Sequence, residues 1–252
     1  MIPQSIIKKL YQVFRHYKAD DLHEFSPLND AARMAKETKN LQSKTLNELK
    51  GEQLAYFAFK TMTTWGSVDD FKHFLPRLLE LGPDEPVYLD LPALLRKLDY
   101  AHWQSWPLKE QAAVQDYFIT YWRALITSGK DHYALDSTPL LRAALDAGFA
   151  PASLLEPWQL IDSEPDLHSL VEFILSNYRD IFVHNQFGND KTKQEGNARL
   201  MQNWLCSSAV LEKLTRHFFQ FENTSLAEDI SKALKYLEDW KKRNVPADPD
   251  PS

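Results

Sequence analysis

LAYFAFKTMTTWGSVDDFKHFLPRLLELG, residues Leu54–Gly82, decides the fold. Apolar residues recur at helical spacing on both sides of a tight Thr64-Trp65-Gly66-Ser67 turn. Ser67 is placed to cap the second helix, with Asp70 three residues on as its capping-box partner. Gly82 is placed to end that helix, and Pro83 follows it. The stretch therefore reads as a helical hairpin, the building unit of bundles and α-solenoids. Trp65, with Phe59 and Phe71 nearby, reads as a wedge between the two helices.

The same pattern extends in both directions. Ile6, Ile7, Leu10, Tyr11, Phe14 and Tyr17 line one face of a first helix. Residues 18–50 read as a polar, Lys-rich arm with a helical patch only at Ala31–Ala35. After the hairpin, helices are expected over about 91–100 and from Pro107 to just before Gly129. Thr138-Pro139 opens a short one that Gly148 ends. Residues 150–158 read as an irregular joint. Helices then follow over about 165–183, 197–221 and 225–243. Val87-Tyr88-Leu89 is the best strand candidate and is too short to build a sheet. The expected fold is all-α: irregular stacked hairpins of HEAT-like kind, or a large helix bundle. One domain is expected over residues 1–244, with residues 1–50 as its N-terminal helix and arm. A disordered tail is expected over residues 245–252.

Composition narrows the function classes. The chain of 252 residues carries a formal charge of −6. Residues 1–50 hold 9 Lys/Arg against 6 Asp/Glu, and the remainder holds 20 against 29. An acidic body disfavours nonspecific nucleic-acid binding, which needs clustered Lys and Arg. It suits a basic protein partner, whose approach it steers. No apolar run approaches the ~20 residues that span a bilayer, so no membrane partner is expected. Met1-Ile2-Pro3-Gln4-Ser5 leads straight into an amphipathic segment without an apolar signal region. The single cysteine, Cys206, cannot form an internal disulfide. These features fit a cytoplasmic protein.

Motifs that carry chemistry are missing. The eight histidines form no HExxH or HxH pair, and one cysteine excludes a Cys-based zinc site within the chain. No Gly-x-Ser-x-Gly elbow, Walker loop or Gly-x-Gly-x-x-Gly occurs. No cofactor, metal ligand or catalytic residue is assigned. Cys206, read as lying mid-helix, is expected to be buried and inert.

Two clusters remain. Asp69 and His73 are four apart and share a helix face with Asp70 close by, a candidate acid–base or recognition patch. The simpler role for Asp69 and Asp70 is to complement the positive end of the helix. Glu156, Asp162, Glu164 and Asp166 border Trp158, a candidate rim of carboxylates around an aromatic anchor for a basic protein. The loop His184–Asp190 is the most polar in the body and reads most simply as a solvated link.

The segment KTMTTWGSVDDFKHFLPRLLEL, Lys60–Leu81, resembles a recurrent pattern in small helical bacterial proteins. Such proteins are similar to immunity proteins of contact-dependent and other polymorphic toxin systems, some with HEAT-like folds. The resemblance implies a cytoplasmic bacterial protein that neutralises a toxin domain, such as a basic nuclease, by direct binding and occlusion. It supplies no catalytic residue. Two other readings stay open: a hydrolase built on Asp69 and His73, and a helical scaffold that binds peptides.

Overall fold

A computed structural model describes residues 2–20, 22, 25–85, 88–127, 133–160 and 164–244, with the side chains of residues 133–136, 160, 165 and 166 left aside. The fold is all-α, with 12 α-helices and no strands among the described residues. Two isolated backbone bridges, Phe25 to Trp65 and Thr61 to Trp65, are the only extended pairings described. Contacts divide the chain into two compact units, residues 1–121 and 122–252. The sequence shows no seam there, and residues 1–244 read as one domain. The strand candidate at Val87 and the tail 245–252 lie outside the described residues, Tyr88 and Leu89 apart.

The first unit is built on the hairpin. Its helices are α1 (Gln4–Phe14), α2 (Ala31–Gln42), α3 (Gly51–Lys60), α4 (Val68–Leu81), α5 (Leu91–Tyr100) and most of α6 (Leu108–Ile126). The cap of α4 is a reciprocal box. Ser67 Oγ accepts from the Asp70 amide at 3.2 Å, and the Asp70 carboxylate accepts from the Ser67 amide at 2.8 Å. Gly66, at φ 67, turns the chain into that cap, and a Cβ there would lie 3.0 Å from the Asp70 carboxylate. Trp65 is buried and meets the Phe57 ring edge-on at 5.4 Å. Its indole N–H donates to the Leu22 carbonyl at 2.8 Å, so the wedge also ties down the segment before α2. α4 carries Pro76 inside it and buries Phe71, Phe74, Leu75, Leu78 and Leu79.

The polar arm is more ordered than its composition suggests. Asp30 caps α2 by accepting from the Arg33 amide at 3.0 Å. Met34, Thr38 and Leu41 are buried, and α2 packs on α3. A short 3-10 turn, Leu46–Glu48, then leads into α3. Three or four inward residues suffice to hold an otherwise hydrophilic helix. That signal was too sparse to extend the patch beyond Ala35.

The second unit holds the end of α6, then α7 (Tyr133–Asp146), α8 (Pro151–Leu160), α9 (Glu164–Tyr178), α10 (Gln194–Leu205), α11 (Ser208–Gln220) and α12 (Ser225–Asn244). Four sequence expectations change here. The helix expected to open at Thr138-Pro139 begins at Tyr133 and carries Pro139 inside it. The irregular joint is α8, whose Pro151 sits at the first helical position, where the missing N–H costs nothing. The helix expected to Val183 widens into a π-turn, Arg179–Val183. The helix expected over 197–221 breaks at Cys206-Ser207, because Ser207 turns extended and caps α11 through the Val210 amide. The core is aromatic. Trp158 is met edge-on by Trp122 at 5.2 Å, lies 5.1 Å from Phe173, and stacks on Trp204 at 5.8 Å.

Candidate functional site

Among the described residues, no hydrogen bond or ion pair joins Asp69 to His73. Asp69 is exposed at the mouth of α4, and Asp70 is buried in the capping box. His73 Nδ1 lies 2.9 Å from the Tyr17 carbonyl oxygen, which can only accept, so Nδ1 carries the proton. The His73 ring stands edge-on to Phe74 at 4.8 Å. Its role is to hold the end of α1 against α4.

The acidic rim loses its anchor. Trp158 is only 1 % exposed, so it is core and not a surface aromatic. A residue within a helix presents one direction only, and the core takes it. Glu156 is exposed and paired with Arg123 at 3.2 Å, and Glu164 is exposed. Asp162 and the side chain of Asp166 lie outside the described residues.

A large exposed aromatic does occur at a different place, with charged residues of both signs near it in the sequence, among them the exposed Arg216 three residues before it. Phe219, in the last turn of α11, is 68 % exposed. Glu212 stands two turns before it on the same helix, and Glu222 follows in the turn to α12. Both are exposed, as is Glu228 in the first turn of α12. Asn223, at φ 69, makes that turn tight. Val210, Lys213, Leu214 and His217 form the buried stripe of α11. Phe219 lies two residues past His217, about 200° round the helix, and so faces away from the stripe. Reading one unbroken helix over 197–221 hides this, because the break at Ser207 resets which face points inward.

Two polar knots went unread in the sequence. In the first unit, Lys72, only 6 % exposed, and Glu110, only 2 % exposed, form an ion pair at 2.9 Å. Tyr17 joins them, donating to Glu110 at 2.8 Å and accepting from Lys72 at 2.9 Å. The ammonium also lies 4.3 Å from the centre of the Trp106 ring. Burial works against the charge on Lys72, but the bonds and charges of Tyr17 and Glu110 outweigh it and hold its pKa above the ordinary value. In the second unit, Asp146 organises the loop that reads as a solvated link. Its carboxylate accepts from the Asp190 amide at 3.2 Å and from Asn197 at 3.1 Å. Gly188, at φ 129, passes so close that a Cβ would lie 2.5 Å from Asp146 Oδ1. Phe187 is buried beneath the Arg142 guanidinium, and Arg142 bonds Asp180 at 2.7 Å. Both knots join residues 34 or more apart in sequence, which no local spacing reveals.

Among the described residues, no group of three or more His, Cys, Asp or Glu is placed to hold a metal ion. No helix there is long and apolar enough to cross a membrane. Cys206 ends α10 and is buried, its Sγ 3.8 Å from the Leu237 carbonyl. Burial pushes its thiol up from an ordinary 9.0 to about 11. Burial likewise raises Tyr11, with the Glu80 carboxylate adding to the effect, and it raises Tyr117. A group whose folded pKa lies above its unfolded value contributes stability below the unfolded value and loses it as pH rises through the folded one. The chain is therefore expected to weaken as pH rises, through Cys206 between roughly pH 9 and 11 and through the tyrosines above about pH 10. Lys97, whose pKa burial lowers, works in the opposite direction. Urea unfolding of the wild type and Cys206→Ala across this range checks the assignment. Equal slopes for the two proteins remove the cysteine from it.

Compared with known proteins, the chain matches no family model, no curated protein and no solved structure.

Proposed function

We propose that this chain works by binding and blocking another protein, a basic one, through the α11–α12 hairpin of its second unit. The observation that carries the reading is Phe219, a large exposed aromatic in the last turn of α11, with Glu212, Glu222 and Glu228 exposed on the same two helices and their connecting turn. Interface energy concentrates in a few such anchors, and flanking charges select and steer the partner. The charge balance supports it. Residues 122–252 carry 14 Lys/Arg against 19 Asp/Glu, whereas residues 1–121 are nearly even at 15 against 16. The resemblance of Lys60–Leu81 to toxin-neutralising immunity proteins supplies the biological form of the proposal. In that form a cytoplasmic bacterial protein occludes a toxin domain, such as a basic nuclease.

The test is affinity capture of the tagged chain from its native cells, run in parallel with Phe219→Ala and Glu222→Lys. A single stoichiometric basic partner is expected. Phe219→Ala should weaken it by about 2 kcal/mol, roughly thirtyfold. Glu222→Lys should slow association and reduce its salt dependence. Expressing the partner with and without the chain, with cell viability as readout, then tests neutralisation. A partner that binds both variants as well as the wild type moves the interface elsewhere. A partner that is harmless when expressed alone removes the toxin reading.

A further inference from the structure

The first fifty residues, where the positive charge is concentrated, help line two open polar grooves, and the segment 44–50 contributes different residues to each. One, of about 530 Å³, lies over α1 and α4 and is lined by Lys8, Tyr11, Leu46, Asn47, Arg77 and Glu80, among others. The other, of about 410 Å³, lies over α2 and the start of α3 and is lined by Lys36, Asn40, Lys44, Lys50, Glu52 and Gln53, together with Glu37. Each volume is in the range that holds a small ligand or a few residues of a bound chain.

The charges in these grooves are unevenly matched. Arg77 is fixed, its Nε donating to the Leu49 carbonyl at 2.7 Å and its guanidinium paired with Glu80 at 2.6 Å. Glu80 also accepts from Tyr11 at 2.7 Å. That leaves Lys8 as the uncompensated charge of the first groove. In the second, three lysines face two glutamates. Among the described residues, Lys8, Lys36 and Lys50 stand in no ion pair, and Lys44 acts on the exposed Glu48. Around these cations the walls carry the amides of Asn40, Asn47 and Gln53, and the apolar surface of Leu46 and the Tyr11 ring. The three amide oxygens already accept from Gln53, Thr45 and the Lys50 amide, so the Asn40 and Asn47 amide N–H groups are the donors left to a ligand.

A matching ligand has carboxylates set apart from one another, amides between them and small apolar groups. We propose that the two grooves are a docking site for an acidic segment of another protein, bound in extended form. Its carboxylates meet Lys8, Lys36, Lys44 and Lys50, and its backbone meets the wall amides. Nucleic acid fits less well. It carries a phosphate at every residue and cannot avoid Glu37, Glu52 and Glu80, whereas a peptide can place neutral residues against them. The site belongs to the first unit and does not depend on the Phe219 surface.

Fluorescence anisotropy with the full chain tests this using three labelled probes: a short peptide alternating glutamate with leucine, its glutamine counterpart, and an oligothymidylate. The glutamate peptide is expected to bind, and the glutamine peptide to bind at least about tenfold more weakly. Lys8→Glu and the double variant Lys36→Glu/Lys44→Glu should each lower the affinity of the glutamate peptide about tenfold. All three positions are exposed, so the variants are expected to keep the circular dichroism of the wild type. Added salt should weaken the complex. Tighter binding of the oligothymidylate would make this a nucleic-acid surface. Equal binding of the two peptides, unchanged affinity in the variants, or no binding of the glutamate peptide overturns the proposal.

Discussion

Lys72→Met lowers the stability of the chain by about 3–5 kcal/mol, the cost of leaving a buried charge without its partner. The Glu110 carboxylate is almost wholly buried, 2.9 Å from the Lys72 ammonium and 2.8 Å from the Tyr17 hydroxyl. Methionine matches lysine in length and fits beside the Trp106 ring, so packing changes little. What changes is electrostatic, because the Tyr17 hydroxyl, with the exposed His16 ring 3.8 Å away, then has to stabilise a carboxylate cut off from water. The double variant Lys72→Met/Glu110→Leu removes the stranded charge as well. It is expected to recover most of the loss, since an ion pair replaced by apolar groups of similar size is often neutral. Urea unfolding of the wild type, the single variant and the double variant measures the coupling directly. A loss under about 1 kcal/mol in the single variant would show that water reaches Glu110 and would falsify this account.

Trp158→Ala is the second large effect, with an expected loss of about 3–5 kcal/mol. The indole contacts Trp122, Phe173 and Trp204, and these rings come from α6, α9 and α10. Removing it opens a cavity that three separate helices would have to move to fill. Its neighbourhood also holds a polar tie: Lys213 donates to the Trp158 carbonyl at 2.7 Å, so a shift of α8 disturbs α11 as well. Hydrogen exchange should rise in α8, α9 and α10 before it rises in the first unit. A variant that unfolds within about 1 kcal/mol of the wild type would mean the cavity collapses and that the aromatic cluster does not order this core.

Local order was legible wherever one residue acts on its near neighbours. The α4 cap was readable because Ser67 and Asp70 lie three apart and satisfy each other. Trp65 was readable as a wedge because a tight turn between two apolar helices leaves an indole little else to do. Cys206 was readable as buried, but not as the end of a helix. A serine competes for cap and helix alike, and only the packing of α10 and α11 decides between them. The same limit hid that Trp158 is core and Phe219 is exposed. Both are large and flanked by acids in the sequence, and the difference between them is the direction each faces.

Periodicity and capping were enough to make this chain all-α and to mark where its central hairpin starts and stops, and composition was enough to show that familiar catalytic motifs are missing. Those signals act over a few residues. The rest came from long-range packing. It divided the contacts into two units, buried Lys72 against Glu110, wrapped the 184–193 loop round Asp146, put Phe219 on the surface and gathered the N-terminal lysines along two grooves. Each of these joins distant segments or selects one face of a helix over another. That choice is made by the packing of the whole chain, because a side chain's energy depends on which surfaces finally surround it.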